Sequence, residues 1–292
     1  MNEHSPKRYY GSLIQRAVAM MPGLPDEAPK PQASAAAPES RAEMPVHPRP
    51  LVSIDRRRLA DAGLLVPGGP ITPLAEEFRM VKRQLLLTAR GVAGVDADRA
   101  RMILVCSAQP DEGKTFCAIN LALSMAAEKD VEILLADADF AKPDVSKRLG
   151  IGEGRPGLLD ALAGQIDVEE CIVDTDVPQL AILPAGARSV SDTELLASDG
   201  ARAMLDRLAA ANPRRIVIFD SPPALAASPA SVLALHVGQT MMVVRADRTS
   251  EEDLRAAVAA LDGCEHIQLV LNAVSFQPQG RRFGSYYAQA GR

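Results

Sequence analysis

SAQPDEGKT, residues Ser107 to Thr115, is the stretch on which the fold of this chain turns. The apolar run Met102–Cys106 before it reads as a buried strand. Gly113-Lys114-Thr115 closes the turn, and Phe116, Ile119, Leu123 and Ala126 fall on one face of the helix that follows. Strand, loop and helix in that order make a phosphate-binding loop. Glycine lets backbone N–H groups approach phosphate oxygens, and the helix N-terminus adds partial positive charge. Lys114 is suited to neutralise β- and γ-phosphate charge, and the Thr115 hydroxyl to ligate Mg²⁺. The expected ligand is ATP or GTP with Mg²⁺, contacted by Pro110, Asp111, Glu112, Gly113, Lys114, Thr115 and Phe116. The loop departs from GxxxxGK[ST] at Ala108, and a bare GKT also arises where a glycine merely caps an ordinary helix.

Two further segments favour the phosphate loop. Asp137-Ala138-Asp139 follows the apolar run Val131–Ala136, and Asp220-Ser221-Pro222-Pro223 follows Ile216–Phe219. Each sets a carboxylate at a strand end, where the ligand crevice of an open parallel sheet lies. Asp220 is expected to hold Mg²⁺, directly or through water. Asp137 and Asp139 alternate on extended backbone and so point to one side, where their repulsion raises each pKa unless a cation lies between them. With Mg²⁺ present, one is a metal ligand and the other accepts a proton or orients a nucleophile. The expected metal ligands are Thr115, Asp137 and Asp220, and the expected catalytic residues are Lys114, Asp137, Asp139 and Asp220.

A net charge of −5, with no basic cluster among interleaved aromatics, argues against nucleic-acid binding. Cys106, Cys117, Cys171 and Cys264 lack CxxC spacing and read as reduced, mostly buried thiols of a cytosolic protein. No apolar run approaches the roughly 20 residues that span a bilayer, and no signal-peptide pattern is seen, so a membrane link is expected only through a partner.

Along the chain, residues 1–21 read as a short helical segment and 22–50 as a disordered linker rich in proline and alanine. Residues 51–275 form the nucleotide domain, followed by a flexible tail at 276–292. A helix is expected from Pro73, capped by Thr72, to about Ala89. Apolar runs at Met102–Cys106, Val131–Ala136, Leu180–Leu183, Ile216–Phe219, Met241–Val244 and Gln268–Leu271 alternate with helical periodicity, as in Thr193–Leu208 and Glu251–Leu261. Strands apolar throughout are covered on both faces. The expected architecture is α/β, a P-loop NTPase with a doubly wound, mostly parallel sheet and helices on both faces.

SAQPDEGKT, ILLADADFAKP (Ile133–Pro143) and IVIFDSPP (Ile216–Pro223) resemble the Walker A, Walker A′ and Walker B segments of bacterial tyrosine kinases. GLLDALAG (Gly157–Gly164), ILPAG (Ile182–Gly186) and TELLAS (Thr193–Ser198) agree, and SLIQRA (Ser12–Ala17) and AEEFRMVKR (Ala75–Arg83) are similar to the branch encoded beside exosortase and exopolysaccharide genes. The resemblance implies ATP-dependent autophosphorylation on tyrosine by a cytoplasmic kinase that acts on exopolysaccharide synthesis or export. It implies a membrane chain-length regulator as activator, recruitment to the inner face of the plasma membrane, and a homo-oligomer. It makes Asp137 the carboxylate that contacts Mg²⁺ and helps deprotonate the acceptor, and it makes Glu76, Arg79 and Lys82 an ExxRxxR-like oligomer interface.

Two positions depart from that family. Asp111 replaces a glycine, placing a carboxylate beside phosphates, although aspartate tolerates left-handed backbone. Ala141 stands where many relatives have arginine. The only tyrosines are Tyr9, Tyr10, Tyr286 and Tyr287, at the two ends, and Tyr286 and Tyr287 are the expected phosphoacceptors. Two rival readings remain. One is a MinD/ParA-type ATPase, which carries a lysine early in the loop where this chain has Ala108 and Gln109; the other is a catalytically weak nucleotide-binding scaffold for polysaccharide export.

Overall fold

The computed structural model describes residues 49–91, 95–187 and 192–274. The expected helical segment 1–21, most of the linker 22–50, and the tail 276–292 with Tyr286 and Tyr287 lie outside the described residues.

Among the described residues there are eight strands: β1 (Leu51–Val52), β2 (Met102–Ser107), β3 (Glu132–Asp137), β4 (Val173–Thr175), β5 (Leu180–Leu183), β6 (Arg215–Asp220), β7 (Gln239–Arg245) and β8 (Ile267–Asn272). They form one sheet in the order β1-β4-β5-β3-β6-β2-β7-β8. All neighbours run parallel except β4 and β5, which pair antiparallel. Parallel neighbours need crossover connections, and helices supply them on both faces. The side chains of β2 show the result. Met102, Leu104 and Cys106 point into one core, with Phe219, Leu205 and Leu208. Ile103 and Val105 point into the other, with Leu85, Ile119 and Leu121.

The helix Lys114–Met125 differs from the amphipathic reading. Its residues from Cys117 to Met125 are all buried, because the helix Pro73–Ala89 lies over its outer side and the sheet under its inner one. The helix Pro73–Ala89 keeps its expected bounds: the Thr72 hydroxyl accepts the Ala75 N–H at 3.2 Å, and Pro73 needs no donor in the first turn. The stretch Thr193–Leu208 is two helices, Asp192–Leu196 and Asp199–Ala210, because Ser198 caps the second through the Ala201 N–H at 3.1 Å. Cys106, Cys117, Cys171 and Cys264 are buried and unpaired, as expected.

Leu104, in the interior strand β2 and fully buried, measures how much the sheet core contributes. Leu104→Ala is expected to lower unfolding free energy by about 2–5 kcal/mol, the transfer loss plus the cavity left behind. A urea titration should show an earlier midpoint with an unchanged slope.

Candidate active site

The carboxyl ends of β2, β3 and β6 place their following residues together. Gly113, at φ 96°, ends the loop after β2 and starts the helix Lys114–Met125. Asp111 has φ 63°, so the aspartate adopts the left-handed backbone expected of the glycine it replaces. The Lys114 ammonium lies 2.8 Å from Asp139 Oδ2. Burial works to lower the Lys114 pKa, but the negative charges of Asp220 and Asp139 outweigh it and hold the ammonium charged, with its pKa raised.

Asp137 and Asp220 are register partners across β3 and β6, and both are buried. Asp137 Oδ2 accepts the N–H groups of Asp144 and Val145 at 3.1 and 3.0 Å, and its Oδ1 accepts that of Asp139 at 3.3 Å. Of the roughly four acceptor sites on a carboxylate, one remains. Both oxygens of Asp220 are buried without a hydrogen-bond partner. Burial drives both pKa values up. Asp220 adds repulsion at Asp137, while Lys114, the nearby Thr115 hydroxyl and Arg148 hold the Asp220 value down in part.

These donors fit a hard divalent cation. Asp220 offers two oxygens with no other partner, Thr115 a hydroxyl, and Asp137 one remaining lone pair. Among the described residues no group of three or more His, Cys, Asp or Glu is arranged to cage a metal. Such a partial shell suits Mg²⁺, which keeps water and phosphate oxygens as its other ligands.

Other expected site residues have different surroundings. Glu112 is buried with its carboxylate turned into the protein, accepting the Gln109 N–H at 3.0 Å and the Thr249 hydroxyl. Glu76 and Arg79 pair with each other within one helix. Lys82 is drawn inward: its ammonium donates to the Ser124 carbonyl at 3.0 Å and pairs with Glu128 at 2.6 Å. The sequence reading missed four residues that touch the phosphate loop: Arg245 and Asn272 at the ends of β7 and β8, Thr249 just after β7, and Asp253 in the first turn of the helix Glu251–Ala260. No motif marks them. A cleft of about 390 Å³ lined by Arg49, Glu132, Asp174, Gln179 and Arg214 sits at the amino ends of β3 and β6, away from this site.

The AAA domain family model matches residues 100–261. A putative tyrosine-protein kinase EpsB of Ralstonia nicotianae is 29% identical over 238 residues, covering 78% of this chain and 30% of its own length. The chain thus spans about a third of the length of that relative. The tyrosine-protein kinase YwqD of Bacillus subtilis is 29% identical over 191 residues, 65% of this chain and 76% of its own. The solved kinase domain of VpsO superposes with a TM-score of 0.59 at 30% identity, covering 69% of this chain and 95% of that domain.

Because Asp137 and Asp220 have raised pKa values, the folded state binds protons that the unfolded state has already released. Their contribution to stability is full below the ordinary carboxylate range near ~4 and is lost as pH rises through the raised values. In chelated buffer the thermal midpoint should therefore fall as pH is taken from about 5 to neutral and above. Asp220→Asn should flatten that slope and raise the midpoint at neutral pH, as followed by circular dichroism melts.

Proposed function

The chain belongs to the bacterial tyrosine kinases within the AAA domain family, and from that premise we propose that it is an ATP-dependent protein-tyrosine autokinase. The observation that carries this reading is the convergence of Lys114, Asp137, Asp139 and Asp220 on one loop-to-helix junction, with a lysine already held by an acidic partner.

Phosphoryl transfer needs positioning and charge neutralisation more than covalent chemistry. The loop N–H groups and the helix N-terminus cradle the β- and γ-phosphates. Lys114 leaves Asp139 for the phosphates, and Asp139 keeps it within reach. Mg²⁺, when bound by Asp220 and Thr115, supplies charge that offsets the triphosphate. The tyrosine oxygen attacks the γ-phosphorus, the bond to the β–γ bridging oxygen breaks, and ADP leaves with that electron pair. The phenolic proton goes to Asp137. The single remaining lone pair on Asp137 serves metal or proton but not both at once, so we assign the metal to Asp220 and the proton to Asp137. Its raised pKa makes it a better proton acceptor than an exposed carboxylate.

Tyr286 and Tyr287 are the acceptors in this reading. About 14 residues separate Asn272 from Tyr286, a stretched reach near ~45 Å, enough for the site of a neighbouring subunit. The regulated process is exopolysaccharide synthesis or export, with a membrane chain-length regulator as activator and the kinase a homo-oligomer on the cytoplasmic side. Among the described residues no helix is long and apolar enough to cross a membrane. With its side chain 12% exposed, against 46% for Arg79 and 22% for Glu76, Lys82 offers less to an oligomer contact than they do.

Purified protein with Mg·ATP should give a phosphotyrosine signal on a blot, and Lys114→Met should cut it by ~10²-fold or more while the protein stays folded. Replacing Tyr286 and Tyr287 with Phe should remove most of the label. No signal from the wild type would sink the reading.

Asp137→Asn and Asp220→Asn should separate the two acids. The first is expected to slow transfer far more than it weakens binding of a fluorescent ATP analogue, and the second to raise the Mg²⁺ concentration needed for half-maximal binding. Equal losses of transfer and binding in Asp137→Asn would make it a nucleotide-site residue only.

A further inference from the structure

We propose that Arg245 and Asn272, at the ends of β7 and β8, are positioning residues that shape the phosphate loop before nucleotide arrives; this rests on reading the loop as a nucleotide site. Two consecutive carbonyls of the loop are held from outside. Arg245 Nη1 donates to the Asp111 carbonyl at 3.0 Å, and Asn272 Nδ2 donates to the Glu112 carbonyl at 2.9 Å. In a trans peptide the N–H points opposite to the C=O, and no peptide among the described residues is cis. Fixing the two carbonyls toward β7 and β8 therefore turns the N–H groups of Glu112 and Gly113 the other way, into the mouth of the loop. Asp111 and Gly113 have positive φ and Glu112 between them does not, the alternation that forms an anion-binding nest.

The brace has a third point. The buried Glu112 carboxylate accepts the Gln109 N–H and the Thr249 hydroxyl, and Thr249 Oγ1 in turn accepts the Arg245 N–H at 2.9 Å. Gly113 is required by the same packing, since a Cβ there would lie 2.2 Å from Asn272 Nδ2.

Asn272 also reaches the other way. Its Oδ1 accepts the Ala273 N–H at 2.9 Å, at a residue with φ 54°, and its carbonyl accepts the Ala246 N–H at 3.0 Å. One amide group thus joins the phosphate loop to the first residue beyond the sheet, from which the chain leads to Tyr286 and Tyr287. Loop and chain exit are coupled through it, and any such coupling is reciprocal.

The test uses full-length protein, and Mg·tripolyphosphate as a probe that carries the phosphates and no nucleoside. In ligand-free protein, Asn272→Ala and Arg245→Ala should each speed amide exchange at Gln109 and at residues 111–113, and Asn272→Ala should also speed it at Ala273. By calorimetry, Asn272→Ala should weaken Mg·tripolyphosphate and Mg·ATP by the same factor, roughly 10-fold for one lost hydrogen bond that orders several others. Asn272→Gln, which keeps the amide donor, should recover part of that loss, whereas a merely structural role would give no such rescue. Unchanged exchange together with unchanged tripolyphosphate affinity would overturn the proposal. A loss confined to ATP would overturn it too, making Asn272 a nucleoside contact. If the wild type binds neither probe, the nucleotide reading fails, and the exchange measurement alone decides whether the brace exists.

Discussion

The register of β3 against β6 sets Asp137 opposite Asp220, and much of the site follows from burying those two carboxylates side by side. Two desolvated acids on neighbouring strands are unstable as anions without a cation, because burial disfavours each charge and each repels the other. Lys114 is the nearest remedy in the ligand-free protein. It pairs with Asp139, a third acid of the same cluster, and its charge also stabilises Asp220. Binding a triphosphate with its metal exchanges one set of counter-charges for another. A ligand that brings a cation would offset the cost of keeping these acids out of water.

The sheet supplies two kinds of residue to this region. Lys114, Thr115, Asp137, Asp139 and Asp220 gather around the phosphate site, and Arg245, Thr249 and Asn272 hold the loop from behind. Their division follows from strand order. β2 lies between β6 and β7, so the loop leaving β2 has the acids of β3 and β6 on one side and the ends of β7 and β8 on the other. The helix that starts at Lys114 is enclosed along its length, which fixes the origin of its dipole as firmly as the braces fix the loop.

Much of this was legible in the sequence because burial on both faces leaves long apolar runs. The six strands anticipated from those runs are present within one or two residues, and the strand ends located Asp137 and Asp220. β1 and β4 were not legible, being two and three residues long and, in the case of β4, interrupted by Asp174. The break at Ser198 was hidden because periodicity continues through the cap. Arg245 and Asn272 escaped for a different reason. Their role depends on bonds to backbone carbonyls more than 130 residues away in the chain, and a carbonyl has no sequence signature. Glu112 was read as a phosphate neighbour from its position, but side-chain direction depended on Thr249, which the sequence did not connect to it.

Asp111 is where enzyme and scaffold readings meet. A carboxylate beside phosphates weakens binding if it is buried against them and matters little if water screens it. The residue is exposed, its backbone has the left-handed conformation the loop needs, and its carbonyl is bonded to a guanidinium that brings positive charge to the same turn. Replacing glycine here thus leaves the backbone geometry intact and adds a solvated charge opposed by Arg245. At Asp220, in contrast, both carboxylate oxygens are fully buried without a hydrogen-bond partner, with Lys114 as the main nearby positive charge. A nucleotide-holding scaffold and a phosphotransferase both gain from such an acid, because a cation that accompanies the phosphates is what relieves its desolvation. Of the two aspartates, Asp220 therefore sets the demand for a cation at the strand end, while Asp111 leaves the loop in the shape a glycine would give it.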